Sequence, residues 1–140
     1  MTAPIGVPTI TSEPLASVLR VLQLRGGDKD RFEADSLPQM NRVYGGQVLS
    51  QALLAAAATI EDNNERPPHS LHAYFLRGGD PACPISFDVA RTHDGRSFTS
   101  RQVSATQDGR DLLTLMASFQ LRQSGVEHSS QIPDVPGPEE

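Results

Sequence analysis

The residues best placed for chemistry stand where Gly45-Gly46 meets residues 47–60, a stretch without glycine, proline or formal charge and with five alanines. Glycine lets backbone approach a ligand closely, and a helix starting there offers unpaired N–H groups and a partial positive charge. These features suit an oxyanion hole for a carbonyl compound. The same glycines read equally well as the turn into a helix. Gln47 and Gln51 lie four apart and so share a helix face, able to hold a water or a substrate amide, or to be buried and satisfied by backbone. Neither can act as a general base. Imidazole is a common carrier of proton chemistry, which makes His69 and His72 candidates, but at i and i+3 of a strand they are expected on opposite faces and so cannot form a joint metal site by themselves. A strand histidine bonded to backbone is the plainer reading of each. Arg77, Arg91, Arg96, Arg101 and Arg110 are scattered around strand ends, where a solvated surface is the default and anion binding the sharper alternative.

The elements that must position these residues follow from periodicity. Leu15, Val18, Leu19 and Leu22 recur at helical spacing after Ser12, a fitting N-cap, and predict a short amphipathic helix over residues 12–24, stopped by Gly26-Gly27. Phe32, Ala34 and Ser36 alternate with charged residues and suggest a short strand. In residues 47–60, Val48, Ala52, Ala55 and Thr59 stack on one face and Leu49, Leu53, Ala56 and Ile60 on the next. A helix so broadly apolar must be mostly enclosed, since a surface helix keeps a charged face. Pro67-Pro68 then turns the chain. Alternation in residues 70–76 and in Ile85, Phe87 and Val89 predicts strands, with Asp94-Gly95 and Asp108-Gly109 as hairpin turns. Residues 97–107 carry Phe98 on one parity and Val103 and Ala105 on the other, so a bulge near Ser100 is expected. Residues 112–121 are apolar on both parities, as in a strand covered on both faces. The physics reaches α+β, an antiparallel sheet covering one Ala-rich helix.

Composition bounds the rest. One domain fits 140 residues, and a net charge of -5 with no basic run argues against nucleic acid. Residues 48–60 are shorter than the ~20 a membrane span needs. Cys83 is the only cysteine, so no internal disulfide or cysteine-based zinc site can form. With no secretory pattern in residues 1–10, a cytoplasmic location is expected.

Four motifs in order resemble one family: YGGQVLSQAL at residues 44–53, HSLHAYFLRGGDP at 69–81, DGRSFTSRQVSATQDGR at 94–110 and ASFQ at 117–120. Together they resemble the N-terminal domain of the type II acyl-CoA thioesterases, enzymes of two hot-dog repeats. The resemblance implies a hot-dog fold over residues 1–122, with residues 123–140 as a linker toward a second repeat that lies outside these 140 residues. It implies hydrolysis of fatty acyl-CoA, with no metal or cofactor, and substrate contacts from Tyr44, Gly45, Gly46, Gln47, Gln51, Arg77, Arg96 and Arg101. The family's catalytic Asp, Ser/Thr and Gln set belongs to the second repeat. No Asp or Glu occurs in residues 44–60, which leaves His69 and His72 as the weak candidates for a base here. The expected partners are therefore acyl-CoA and either a second repeat or another copy of the chain. A binding module without activity is the alternative; a hot-dog hydratase is disfavoured, since it too would need an acid beside the helix. Two departures stand out: Gly78 where the family usually has proline, and His93 where arginine is common, from which small changes in turn rigidity are expected.

Overall fold

The structure, a computed structural model, describes residues 13–138. Helix α1 spans Glu13–Val21, and the Ser12 cap lies outside the described residues. The helix stops three residues before Leu24. Gly26 and Gly27, at φ +92° and +102°, do not stop it but reverse the chain between β1 (Arg25–Gly26) and β2 (Arg31–Ala34). A Cβ on Gly26 would stand 2.9 Å from the Arg31 carbonyl, so only glycine fits this tight return. Phe32 and Ala34 lie in β2 as expected, whereas Ser36 falls beyond it.

Helix α2 spans Gly45–Ala58, two residues earlier at each end than residues 47–60, with Thr59 as its C-cap. Four longer strands follow: β3 (Pro68–Phe75), β4 (Ile85–Asp94), β5 (Phe98–Gln107) and β6 (Arg110–Gln120). They and the first hairpin form one antiparallel sheet in the order β1-β2-β4-β5-β6-β3. The sheet wraps α2 in the hot-dog arrangement. Asp108 and Gly109, both at positive φ, make the two-residue hairpin turn between β5 and β6.

One sheet face closes on α2. Ile85, Phe87, Val103, Leu113, Leu115 and Phe119 meet Val48, Ala52, Ala55 and Ala56 in a single core. Alanine is what lets the helix lie this close to the strands, and each large side chain buried against it contributes about 1.5–3 kcal/mol of transfer free energy.

Two expectations about the strands are corrected. In β5 the alternation never breaks, because Thr99 and Arg101 continue the inward row of Val103 and Ala105 while Phe98 faces outward. The bulge is on the neighbouring strand, where β4 slips register between Arg91 and His93 opposite Ser100. Strand β6 is covered on one face only. Met116 on its outer face is 45% exposed, and the doubled apolar parity comes from a register shift that turns both Leu112 and Leu113 inward.

Candidate functional site

Tyr44 takes extended φ/ψ and ends the loop, so Gly45, Gly46 and Gln47 are the first helical residues. The Tyr44 carbonyl accepts from Gln47 N at 3.0 Å and from Val48 N at 3.4 Å. The amides of Gly45 and Gly46 have no acceptor among the described residues, and no side chain caps them. They are free donors at the positive end of the helix dipole. Neither glycine has positive φ; what each leaves is room for a neighbouring ring. A Cβ on Gly45 would stand 3.0 Å from the Phe75 ring, and one on Gly46 2.5 Å from the Tyr44 ring.

The helix start opens onto a recess of about 320 Å³, lined among others by Arg42, Val43, Gly45, Phe75, Arg77 and Leu112. No carboxylate and no imidazole lines it. Arg77 donates to the Asp111 carbonyl at 3.0 Å through Nη1, leaving the rest of its fork available. Arg42, which sequence reasoning missed, is exposed and pairs with no acidic residue among those described. Its stem lies across Gly78, where a Cβ would overlap Arg42 Cδ. Gly78 thus leaves room for the Arg42 stem in a recess that Arg77 also lines. The signal was a lone cation flanking the first motif. A larger recess of about 460 Å³ lies over the first hairpin, but its arginines are already neutralised, Arg31 by Asp88 at 2.6 Å and Arg25 by Glu33 at 2.9 Å.

The other singled-out residues do not gather here. Gln47 and Gln51 are buried, facing residues 35–39 instead of the recess. Arg101 is 1% exposed and sits at the other end of α2, where its five donors go to Thr59 Oγ1 (2.7 Å), Thr59 O, His93 O, Ser100 O and Asp94 Oδ1 (2.6 Å). With its guanidinium fully used inside the fold, it is not free to bind phosphate, which corrects the expected substrate contact. Arg96 is exposed in the turn after Asp94, its carbonyl held by Arg66 at 2.9 Å, and is likewise remote from Gly45.

The histidines are corrected too. Strand β3 bulges between Pro68 and Ser70, so His69 shares the outer face with His72 instead of opposing it. His69 Nε2 meets Ser118 Oγ at 2.9 Å and its ring packs on Phe98, while His72 packs edge-on against Tyr74. That face points away from α2. Neither imidazole reaches the helix start, and no three His, Cys, Asp or Glu among the described residues could hold a metal.

Residues 34–120, from the end of β2 to the end of β6, match the family model of the acyl-CoA thioesterase N-terminal domain. This chain belongs to the acyl-CoA thioesterase family. It is similar to acyl-coenzyme A thioesterase 8 of Rattus norvegicus, 42% identical over 134 residues that cover 92% of this chain and 41% of that protein. It is also similar to the solved tesB protein of Mycobacterium avium subs paratuberculosis, with a TM-score of 0.78 at 40% identity over 89% of this chain and 49% of that one. A hot-dog protein from Alicyclobacillus acidocaldarius shares the fold, with a TM-score of 0.72 at 21% identity and 88% of this chain covered. The chain therefore spans less than half the length of acyl-coenzyme A thioesterase 8 and of the tesB protein. Of the residues singled out in the sequence, the fold brings Gly45 and Arg77 together at one recess, with Arg42 added to them; no described helix is long and apolar enough to cross a membrane.

Proposed function

We propose that this domain supplies half of an acyl-CoA thioesterase site, for hydrolysis of fatty acyl-CoA to free fatty acid and CoA. The observation that carries the reading is the unpaired amides of Gly45 and Gly46 at the helix start, where Gly45 lines a recess together with Arg42 and Arg77. In this reading the amides receive the negative charge that builds on the thioester oxygen when water attacks, and Phe75 and Val48 flank the acyl chain. The arginines bind the phosphates of CoA. A general base is worth typically ~10²–10⁴-fold, and the recess has none of its own. We assign the base to residues outside these 140, in a second hot-dog repeat or a partner copy, with residues 123–138, exposed and without helix or strand, as the linker. A cytoplasmic location belongs to the same proposal.

The second reading, an acyl-CoA-binding module that does not turn over, is favoured by the lack of a carboxylate or imidazole in the recess. Steady-state CoA release separates the two, measured for this chain alone and after adding a second repeat in trans. Slow turnover alone and restored turnover in trans support the half-site. Tight binding with no turnover in either case supports the module, and full turnover by the chain alone overturns both.

A further inference from the structure

Three buried polar atoms of residues that do not line the recess have no partner: Ser36 Oγ, Gln47 Nε2 and Gln51 Oε1. The two amides cannot simply be turned over. Gln47 Oε1 accepts from the Leu37 backbone N–H at 3.1 Å, and since that group can only donate, the oxygen must face it. The –NH₂ end is then the unpartnered one. Gln51 Nε2 donates to the carbonyls of Val21 at 2.7 Å and Asp35 at 2.9 Å, which can only accept, so its unpartnered end is the oxygen. Both side chains are more than nine-tenths buried, at 7% and 0% exposure. They are one helical turn apart on one face and both grip the backbone around Ser36, from Asp35 on one side and Leu37 on the other. A donor and an acceptor are thus carried by the two side chains that hold the backbone on either side of Ser36, whose hydroxyl is unpartnered as well.

We propose that Ser36, Gln47 and Gln51 form a binding site for a single buried water molecule. An anion would be repelled by Gln51 Oε1 and a cation by the Gln47 amino group, whereas water accepts from one and donates to the other. Its third bond goes to Ser36, matching the roughly three bonds a buried water makes. The site joins the end of α1, the 35–39 segment and the first turns of α2. Gln39 extends it, since Gln39 Oε1 accepts from Tyr44 N at 2.8 Å. The water is thus part of what holds the helix start in place, and the inference stands whether or not that start binds acyl-CoA.

The test is a crystal structure of this chain at a resolution that shows ordered water, with water-selective NMR transfer to the Gln47 side-chain amide. One ordered water within hydrogen-bond distance of all three atoms, and transfer of the sign given by long-lived water, is the expected result. A direct Gln47 Nε2 to Gln51 Oε1 bond with no water between them overturns the proposal. Ser36 is only half-buried and can be replaced without loss of the fold. Ser36→Ala should weaken the transfer and lower the folding equilibrium constant about two- to tenfold, the worth of one hydrogen bond; no change in either removes Ser36 and overturns the three-atom site.

Discussion

At the residue scale, Gly46 and Arg101 show how type and environment part ways. Gly46 is helical, and glycine inside a helix costs roughly 0.5–1 kcal/mol relative to alanine. The nearest atoms a Cβ there would meet belong to the ring of Tyr44, which is exposed and can swing aside. Gly46→Ala should therefore leave thermal stability unchanged or slightly raised while weakening acyl-CoA binding, because the displaced ring crowds the free amides. A loss of both stability and binding would show that the glycine serves the fold alone. Arg101→Lys should do the reverse. One ammonium cannot replace a five-donor fork, and Thr59 Oγ1 and the carbonyls at the end of α2 would lose their partners. A destabilisation of about 2–4 kcal/mol in urea unfolding is expected, as for removing one member of a buried polar network. Arg101 was legible as part of a motif but not as a cap, since its partners Thr59 and His93 are joined to it only by the fold. Arg42 was missed for the same reason: its neighbour Gly78 is 36 positions away in the chain.

At the element scale, helix α2 and the alternation of β4 were plain in the sequence because their signals are local and periodic. The bulges were not. They are properties of a pair of strands, so the break inferred from Phe98 was placed on β5 when the extra residue lies on β4, and the bulge at His69 went unseen. The first hairpin was hidden by its length, with β1 only two residues long. What holds it is electrostatic. Lys29 and Asp30 sit at φ +52° and +59°, sparsely populated for non-glycine residues, and Arg91 of β4 bonds Asp30 at 2.8 and 3.0 Å. The Arg91 hydrogen bonds, reinforced by its charge, hold the Asp30 carboxyl below the ordinary value of 3.8. A carboxylate whose folded pKa is depressed adds stability that is complete above its unfolded pKa and lost as pH falls through the folded one. Arg25 acts likewise on Asp35. Stability should thus be flat near neutrality and fall below about pH 4, less steeply in Asp30→Asn and at high salt, where the exposed pair is screened. An acid limb identical in Asp30→Asn would show that the turn needs no ionic anchor.

At the scale of the whole molecule the two edges of the sheet are unlike. On one side β1, paired with β2, is only two residues long and offers almost no edge to a further strand. On the other β3 runs for eight residues, PHSLHAYF, with no Asp, Glu, Lys or Arg among them, and Leu71, Tyr74 and Phe75 are exposed at 42%, 65% and 57%. Natural proteins guard a free edge with lysine, proline inside the strand or a covering element, and β3 has only Pro68 at its start. Leu71 and Phe75 pair across from Ala117 and Leu113, on the face that closes on α2, so whatever pairs with β3 would also extend the core and wall the recess at Phe75. Strand order was not legible in the sequence, because which strand ends up at the edge depends on pairings between distant segments; only the need for some covering partner could be foreseen. The expected outcome is that this chain associates through β3, with a second copy when no second repeat is supplied. Sedimentation at micromolar concentration should show a dimer, and Leu71→Glu, which places a charge on the inner face of the edge, should shift it to monomer while circular dichroism stays native. Addition of a second repeat should displace the second copy. A well-folded monomer of the unaltered chain would sink this view of β3 and leave the recess to be completed some other way.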